Sequence, residues 1–149
     1  METTTKTQET NKAIARQFFE NFAKGNLNQV ENLLGTNYKL HFPGRTGSID
    51  KEESKQLMKT YNTAFPDLKF SVEDQFAEND LVATRISSRG THKGEFQGII
   101  ATNKRVSVTG TSIHRIVNNK IVEEWTEYDA LGMMQQLGVV SSEPAHAQH

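Results

Sequence analysis

The chain has 149 residues, a length that forms one domain with a hydrophobic core. Its 17 basic and 18 acidic residues nearly cancel, so it lacks the basic field that nucleic-acid binding needs. No cysteine is present and no apolar run reaches the about 18 residues of a membrane span, which excludes disulfides, thiolate chemistry and a transmembrane helix. We expect a cytoplasmic protein that binds neither nucleic acid nor membrane.

Both ends of the chain are polar. We expect residues 1–10 to be a disordered N-terminal segment and residues 140–149 to be a flexible tail, because neither contains an apolar pattern that would pack on a core. A single domain is predicted between them, at residues 11–139. The N-terminal half of this domain has the apolar spacing of helices, and its C-terminal half has the alternation of strands.

Three helices are predicted in the first half. One begins at Asn11 and ends at Gly25, and a short second helix follows over residues 27–34 and ends at Gly35. A third helix begins near Asp50, which has capping-box spacing to Glu53, and Pro66 stops it. A brief strand, "YKLHFPG", lies between the second and the third helix.

Strands dominate from residue 68 onward. The segments predicted to form them are "LKFSVEDQF", with Leu68, Phe70, Val72 and Phe76 on one face, "LVATRISSRG", "GEFQGII", "KRVSVTGTSIHRIV" and "IVEEWTEY". Asn118-Asn119 favours a tight hairpin turn, and Asp129 is the expected N-cap of a last short helix. Helices followed by an antiparallel meander predict an α+β domain with the helices on one face of a curved sheet.

The spaced elements "FPD", "RGTHKGEF", the Asn-Asn-Lys hairpin and the terminal "QQLG" are similar to a known family. From about Ala13 to Gly138 the chain resembles the SnoaL-like polyketide cyclases and ester cyclases of the nuclear-transport-factor-two-like superfamily. The resemblance implies a cone-shaped α+β barrel, with N-terminal helices packed in a strongly curved antiparallel sheet and an apolar pocket for a small molecule. It also implies a homodimer formed through the outer face of the sheet.

Strand alternation divides the acidic stretch near the C-terminus into two faces. Val122, Glu124, Thr126 and Tyr128 share one face, and Ile121, Glu123, Trp125 and Glu127 share the other. The resemblance places the family's catalytic aspartate at Thr126, and threonine is no general base. Glu124 is then the remaining acid on the pocket side, where burial among phenylalanines would raise its pKa and make it a usable base. The alternative is that Glu124 pairs with a lysine or arginine at the narrow end of the sheet.

The resemblance also suggests groups that bind a ligand's oxygen. Limonene epoxide hydrolase, a relative, has an Arg and an Asp where this chain has Arg85 and Ser87, so we expect Arg85 and Ser87 to contact the ligand. Because the acids at the positions of Ser87 and Thr126 are both lost, we do not expect epoxide hydrolysis by that route. Arg85, Tyr128 or His41 is the expected stabiliser of an enolate oxygen. His41 matches a family-typical spacing from Tyr38 to Pro43, where it lines the pocket or ties down the turn.

Every second residue from Val106 to Ile116 is expected to face inward, which brings Ser112 and His114 to the pocket. His114 is a second candidate base, with a satisfied core histidine as its alternative. Tyr61 belongs to the aromatic set that forms core or pocket wall. His92 is interpreted as loop structure. No metal motif or cofactor motif is present, so we expect neither a metal nor a cofactor.

Two functions remain open from the sequence. The first is a cyclase-type or isomerase-type enzyme that removes a proton beside a carbonyl group of an apolar, polyketide-like ligand, with His114 or Glu124 as the base. The second is a small-molecule carrier with the same pocket and no proton chemistry, as the missing acid at Thr126 indicates.

Overall fold

A computed structural model describes the backbone of residues 2–141 and the side chains from Thr5 onward. Four helices and six strands make up this part of the chain. In chain order they are α1 (Glu2–Lys24), α2 (Leu27–Leu33), β1 (Leu34–His41), β2 (Ile49–Asp50), α3 (Lys51–Ala64), β3 (Lys69–Glu78), β4 (Leu81–Thr91), β5 (Arg105–Val117), β6 (Lys120–Tyr128) and α4 (Ala130–Leu137).

The six strands form one sheet in the order β2-β1-β6-β5-β4-β3. The sheet is open and curled, and α1 packs against β3 and β4 on its inner face, so the predicted α+β roll is confirmed. One pairing is parallel, between β1 and β6, whereas the other neighbours are antiparallel. A parallel pair needs a long crossover, and α3 with β3, β4 and β5 provides it. None of the helices within residues 2–141 is long and apolar enough to cross a membrane.

Local capping signals set several of the element boundaries. The Asp50 side chain accepts a hydrogen bond from Glu53 N at 2.9 Å, and the Asp129 side chain accepts one from Gly132 N at 2.9 Å. Both carboxylates therefore satisfy backbone N–H groups that a helix start leaves unpaired, as predicted. The Asn118-Asn119 turn is also confirmed, since both residues adopt positive φ angles of 52° and 63°.

Two predicted boundaries are wrong. Helix α1 begins at Glu2 and not at Asn11, so the structure extends the helix through most of the segment 1–10 that was expected to be disordered. No glycine or proline precedes Gly25, and the apolar stripe marks where α1 packs and not where it starts. Helix α2 ends at Leu33, and Gly35 lies within β1. Residues 142–149 of the predicted tail lie outside the described residues.

The segment "GEFQGII" is a turn and not a strand. Phe96 and Ile99 exchange backbone hydrogen bonds of 2.8 and 2.9 Å, and Gln97 and Gly98 between them have positive φ angles of 49° and 84°. Two consecutive positive φ values close a tight two-residue turn and prevent the segment from extending as a strand. The Phe96 ring is buried beside Tyr61, with ring centroids 5.1 Å apart.

Two bulges change which side chains face the core. The β3–β4 register shifts between Val72 and Asp74, so Phe76 points outward and is 70% exposed, contrary to the prediction that it shares a face with Phe70. The β5–β6 register shifts where Ile116 pairs with Ile121, so Ile121 is buried, and the prediction that it shares a face with Glu123, Trp125 and Glu127 is wrong. From Glu124 onward the predicted alternation in β6 holds.

Candidate functional site

A cavity of about 120 Å³ lies between α1, α3 and the inner face of the sheet. Six phenylalanines line it: Phe18, Phe19, Phe22, Phe42, Phe65 and Phe70. The polar side chains of Ser112, Glu124, Thr126, Tyr61 and Tyr128 also reach its wall. Glu124 is the one carboxylate among the lining residues. A mostly apolar cavity with a few convergent polar groups is the usual form of a small-molecule site.

Glu124 is only 3% exposed and its carboxylate is held on both oxygens. Tyr38 Oη donates to Oε1 at 2.6 Å, and Thr126 Oγ1 donates to Oε2 at 2.8 Å. His114 Nε2 lies 3.3 Å from Oε2, although the ring is not aligned for a hydrogen bond. The alternative that Glu124 pairs with a lysine or arginine is therefore excluded by its partners.

These contacts set the ionisation of the buried carboxyl group. Burial raises the pKa of Glu124, but the neighbouring His114 and the hydrogen bonds from Tyr38 and Thr126 together outweigh burial and hold this pKa below its usual 4.5. The expected rise in the pKa of Glu124 is wrong, because the group is buried among hydrogen-bond donors and not among phenylalanines alone. Burial and the charge of Glu124 raise the pKa of Tyr38 well above 10.0, so the proton stays on the phenol.

His114 lies behind the cavity wall. Its side chain is fully buried, and the rings of Phe18 and Phe19, which line the cavity, are centred 5.1 and 5.6 Å from the imidazole. Nδ1 has no hydrogen-bond partner within the described part of the chain. His114 faces inward as predicted, but two phenylalanines separate it from a ligand. Its position allows it to act on Glu124 and not on a bound molecule.

Thr126 occupies the position that the resemblance assigns to the catalytic aspartate, and it does line the cavity. Its Oγ1 lies 3.0 Å from Ser112 Oγ on the neighbouring strand. Because the hydrogen of Thr126 is directed at Glu124, the bond between the two hydroxyls requires Ser112 to donate. The cavity wall thus contains a chain of hydrogen bonds that leads from Ser112 through Thr126 to the carboxylate.

Tyr61 and Tyr128 form a second polar group on the cavity wall. Their phenol oxygens are 3.0 Å apart. Burial and the neighbouring Tyr128 raise the pKa of Tyr61 far above its usual value, so the Tyr61 phenol keeps its proton at neutral pH. One phenol hydrogen closes the bond between the pair, and the other remains for a further acceptor. A ligand oxygen in the cavity is such an acceptor.

Three residues predicted to bind a ligand lie on the outer face of the sheet. Arg85, 59% exposed, donates to Asp74 at 2.8 Å, and Ser87 donates to Glu73 at 2.7 Å. His41 stacks on Trp125 with ring centroids 5.3 Å apart and contacts Glu123. The physical reason is strand alternation, because their neighbours Ile86 and Leu40 are the ones that line the cavity. The proposed contacts of Arg85, Ser87 and His41 with a pocket ligand are therefore wrong.

Tyr38 was missed by the sequence reasoning as a member of the site. It lies in β1 with Leu40, two residues away, and both are buried. The alternation of Tyr38 and Leu40 with Lys39 and His41 was the available signal.

His92 has the loop role that was expected of it: its buried ring accepts a hydrogen bond from Thr102 N at 3.2 Å and fixes the loop after β4. No group of three or more His, Asp or Glu side chains in residues 5–141 is placed to hold a metal ion.

Comparison with known proteins shows the family of this chain. Residues 13–137 match the SnoaL-like polyketide cyclase family. The chain belongs to that family. No curated protein matches it by sequence.

Solved structures with the same fold come from several bacteria. IdmH of Streptomyces antibioticus, a proposed polyketide cyclase, is 30% identical with a TM-score of 0.78, and the match covers 86% of this chain and 98% of IdmH. AclR of Streptomyces galilaeus, a proposed hydroxylase, is 26% identical with a TM-score of 0.84 and coverages of 95% and 88%. A proposed polyketide cyclase from Acidithiobacillus ferrooxidans is 29% identical with a TM-score of 0.75 and coverages of 89% and 96%.

Proposed function

We propose that the protein is a cofactor-independent enzyme of the cyclase or isomerase type that takes a proton from a carbon beside a carbonyl group. One observation carries the proposal: Glu124 presents a carboxylate at the cavity wall and accepts a hydrogen bond from Thr126, the position to which the resemblance assigns the family's catalytic aspartate. Glu124 lies two residues before that position along β6. It stays on the same face of the strand, because side chains two residues apart in a strand point the same way.

The reaction assigns one role to each polar group of the cavity. The carboxylate of Glu124 accepts the proton from the carbon, and the electron pair of the broken C–H bond moves onto the carbonyl oxygen. The spare phenol hydrogen of the Tyr61–Tyr128 pair donates to that oxygen and stabilises the enolate. The enolate carbon then attacks a second carbonyl of the same ligand and closes a ring, and the alkoxide formed on that second oxygen takes the proton back from Glu124. Alternatively, Glu124 returns the proton at another carbon, which gives an isomer.

The lowered pKa of Glu124 limits this chemistry in a specific way. The group is ionised at neutral pH and is therefore in the form that accepts a proton. A lower pKa also makes it a weaker base, since the strength of a general base follows its pKa. A weak base of this kind favours ligands with acidic C–H bonds, such as those between two carbonyl groups.

A carrier without turnover is the second candidate. The observation that favours it is that both oxygens of Glu124 already accept hydrogen bonds, from Tyr38 and Thr126. A carboxylate held in this way has less tendency to accept a further proton. In that case the cavity binds an apolar molecule and Glu124 serves only to fix the strands.

We also propose that two copies pair through the outer face of the sheet. Four aligned residues form an apolar band across β3, β4, β5 and β6: Phe76, Ala83, Ile113 and Trp125. The ion pairs Asp74–Arg85 and Asp80–Arg115 flank this band and supply both charge signs. A band with mixed charges on its borders is self-complementary under two-fold symmetry.

Proton exchange at carbon tests the enzymatic proposal without the natural substrate. The protein is incubated in deuterated water with acetophenone or ethyl acetoacetate, and loss of the α-proton signal is followed by NMR. We expect exchange above the buffer rate, and a loss of about 100-fold in the Glu124→Gln variant. Glu127→Gln is the matched control, because Glu127 is exposed on the outer face of the same strand. Ligand binding without any exchange would favour the carrier.

A further inference from the structure

The volume of the cavity restricts the size of its ligand. It measures about 120 Å³, and its wall is dominated by phenylalanines. An apolar cavity of about 150 Å³ in another protein stays dry and takes up benzene, so a space of this size holds about one six-membered ring. A ligand with two or more fused rings would have to displace buried side chains such as Phe18 and Phe19, which are 3% and 4% exposed.

The direction of the hydrogen bonds restricts the ligand's polar group. Thr126 is the half-buried hydroxyl of the Ser112–Thr126–Glu124 chain, and it lines the cavity. Its single hydrogen is used in the 2.8 Å bond to Glu124. Thr126 therefore offers the cavity a lone pair and no hydrogen.

Reversing this direction would be unfavourable. Thr126 donates to a charged carboxylate, and such charge-assisted bonds are roughly twice as strong as those between neutral groups. If Thr126 turned to donate to a ligand carbonyl, Glu124 would lose one of its two donated hydrogen bonds while 3% exposed. At this end of the cavity a ligand carbonyl is disfavoured and a ligand hydroxyl is favoured.

We infer that the cavity binds a single-ring compound with a hydroxyl group, a phenol or a cyclic enol, that donates its hydrogen to Thr126 Oγ1. The inference rests on the proposed function, since it names the class of molecule that occupies the same cavity. It adds a size limit of about one ring and a requirement for a hydrogen-bond donor, neither of which the proton-transfer proposal contains.

Binding of four simple probes tests this inference. The dissociation constants of phenol, anisole, toluene and 2-naphthol are measured by calorimetry or by NMR titration. We expect phenol to bind about tenfold more tightly than anisole, which has no hydroxyl hydrogen, and about tenfold more tightly than the two-ring 2-naphthol. Equal affinity for phenol and anisole, equal affinity for phenol and 2-naphthol, or no binding of phenol would overturn the inference.

A substitution at Thr126 tests whether this residue accepts the hydrogen bond from the ligand's hydroxyl group. Thr126→Val keeps the shape of the side chain and removes its oxygen, so phenol should bind about tenfold more weakly while toluene binds as before. Thr126→Ser should restore the affinity for phenol. Phenol affinity that is unchanged in Thr126→Val would contradict the assignment of the acceptor. If the valine variant does not fold, the comparison of phenol with anisole in the unaltered protein still decides.

The failure of this inference can be told apart from the failure of the proposed function. If the protein exchanges deuterium into a ketone but binds phenol no more tightly than anisole, the ligand class alone is refuted. If the protein clearly prefers phenol over anisole but exchanges deuterium into no bound ketone, the proton transfer alone is refuted.

Discussion

Tyr38 Oη lies 2.6 Å from Glu124 Oε1, and this contact joins β1 to β6 between residues 86 positions apart in the sequence. It occurs next to the parallel pairing of the two strands, where Leu40 is opposite Glu124. Burying an ionised carboxylate costs free energy unless hydrogen-bond donors surround it. The hydrogen bond from Tyr38 therefore helps to keep Glu124 ionised at the cavity. The fold and the site thus depend on the same contact.

Removal of the Tyr38 hydroxyl should destabilise the protein. We expect Tyr38→Phe to lower the free energy of unfolding by about 1.5–3 kcal/mol, because it deletes a charge-assisted hydrogen bond to a buried group. Tyr61→Phe is the matched control, since it deletes a neutral bond to Tyr128 and should cost about 0.5–1.5 kcal/mol. Urea unfolding measures both values. Equal losses in the two variants would argue against an ionised Glu124.

Stability should fall in acid because of Glu124. Its pKa in the folded protein is lowered from 4.5, so the unfolded chain binds this proton more tightly than the folded chain. The stabilisation from the ionised group is therefore complete above about pH 4.5 and is lost as the pH falls through the folded-state pKa. Urea unfolding between about pH 7 and about pH 3 should show a shallower acid decline for Glu124→Gln than for the unaltered protein. Glu127→Gln should keep the original slope, and a slope unaffected by Glu124→Gln would refute the lowered pKa.

The loop that carries Phe96 should tolerate no side chain at Gly94. A Cβ atom there would overlap the carbonyl oxygen of Thr63 at the end of α3, and this atom belongs to the backbone and cannot rotate away. We expect Gly94→Ala to destabilise the protein by about 1–3 kcal/mol. Gly47→Ala is the control, because a Cβ atom at Gly47 meets nothing within 4 Å. Thermal unfolding of the two variants gives the comparison, and equal melting temperatures would contradict the close approach.

The proposed homodimer should depend on the apolar band of the outer face. Ile113→Asp places a charge at the centre of the band, and we expect it to shift the protein to a monomer in light scattering coupled to gel filtration. Ile100→Asp is the control, because Ile100 is 80% exposed but lies in the loop after β4 and not on the sheet. A monomer in the unaltered protein, or a dimer that persists in Ile113→Asp, would contradict the proposal.

Local signals made much of the fold predictable. Asp50, Asp129 and the Asn118-Asn119 pair act through their own backbone or through residues a few positions away, so their roles follow from short stretches of sequence. The resemblance to a family supplied the arrangement of the elements. The regular alternation in β5 correctly placed Ser112 and His114 on the inner face.

What could not be predicted depends on contacts between distant residues. The bulges that turn Phe76 outward and Ile121 inward arise from strand register, which single-strand alternation does not contain. The pKa of Glu124 likewise depends on Tyr38, which lies 86 positions earlier in the sequence, before β2, α3, β3, β4 and β5. An expectation from burial alone therefore gave the wrong direction for this pKa.

A crystal structure of the protein with bound acetophenone would test whether Glu124 is the base. The decisive quantity is the distance between the methyl carbon of the ligand and the nearer carboxylate oxygen of Glu124. We predict about 3–3.5 Å, the separation of atoms poised to react, with the ligand's carbonyl oxygen within hydrogen-bond distance of Tyr61 or Tyr128. A ligand bound in the cavity with its methyl carbon turned away from Glu124 would contradict the assignment of this residue as the base.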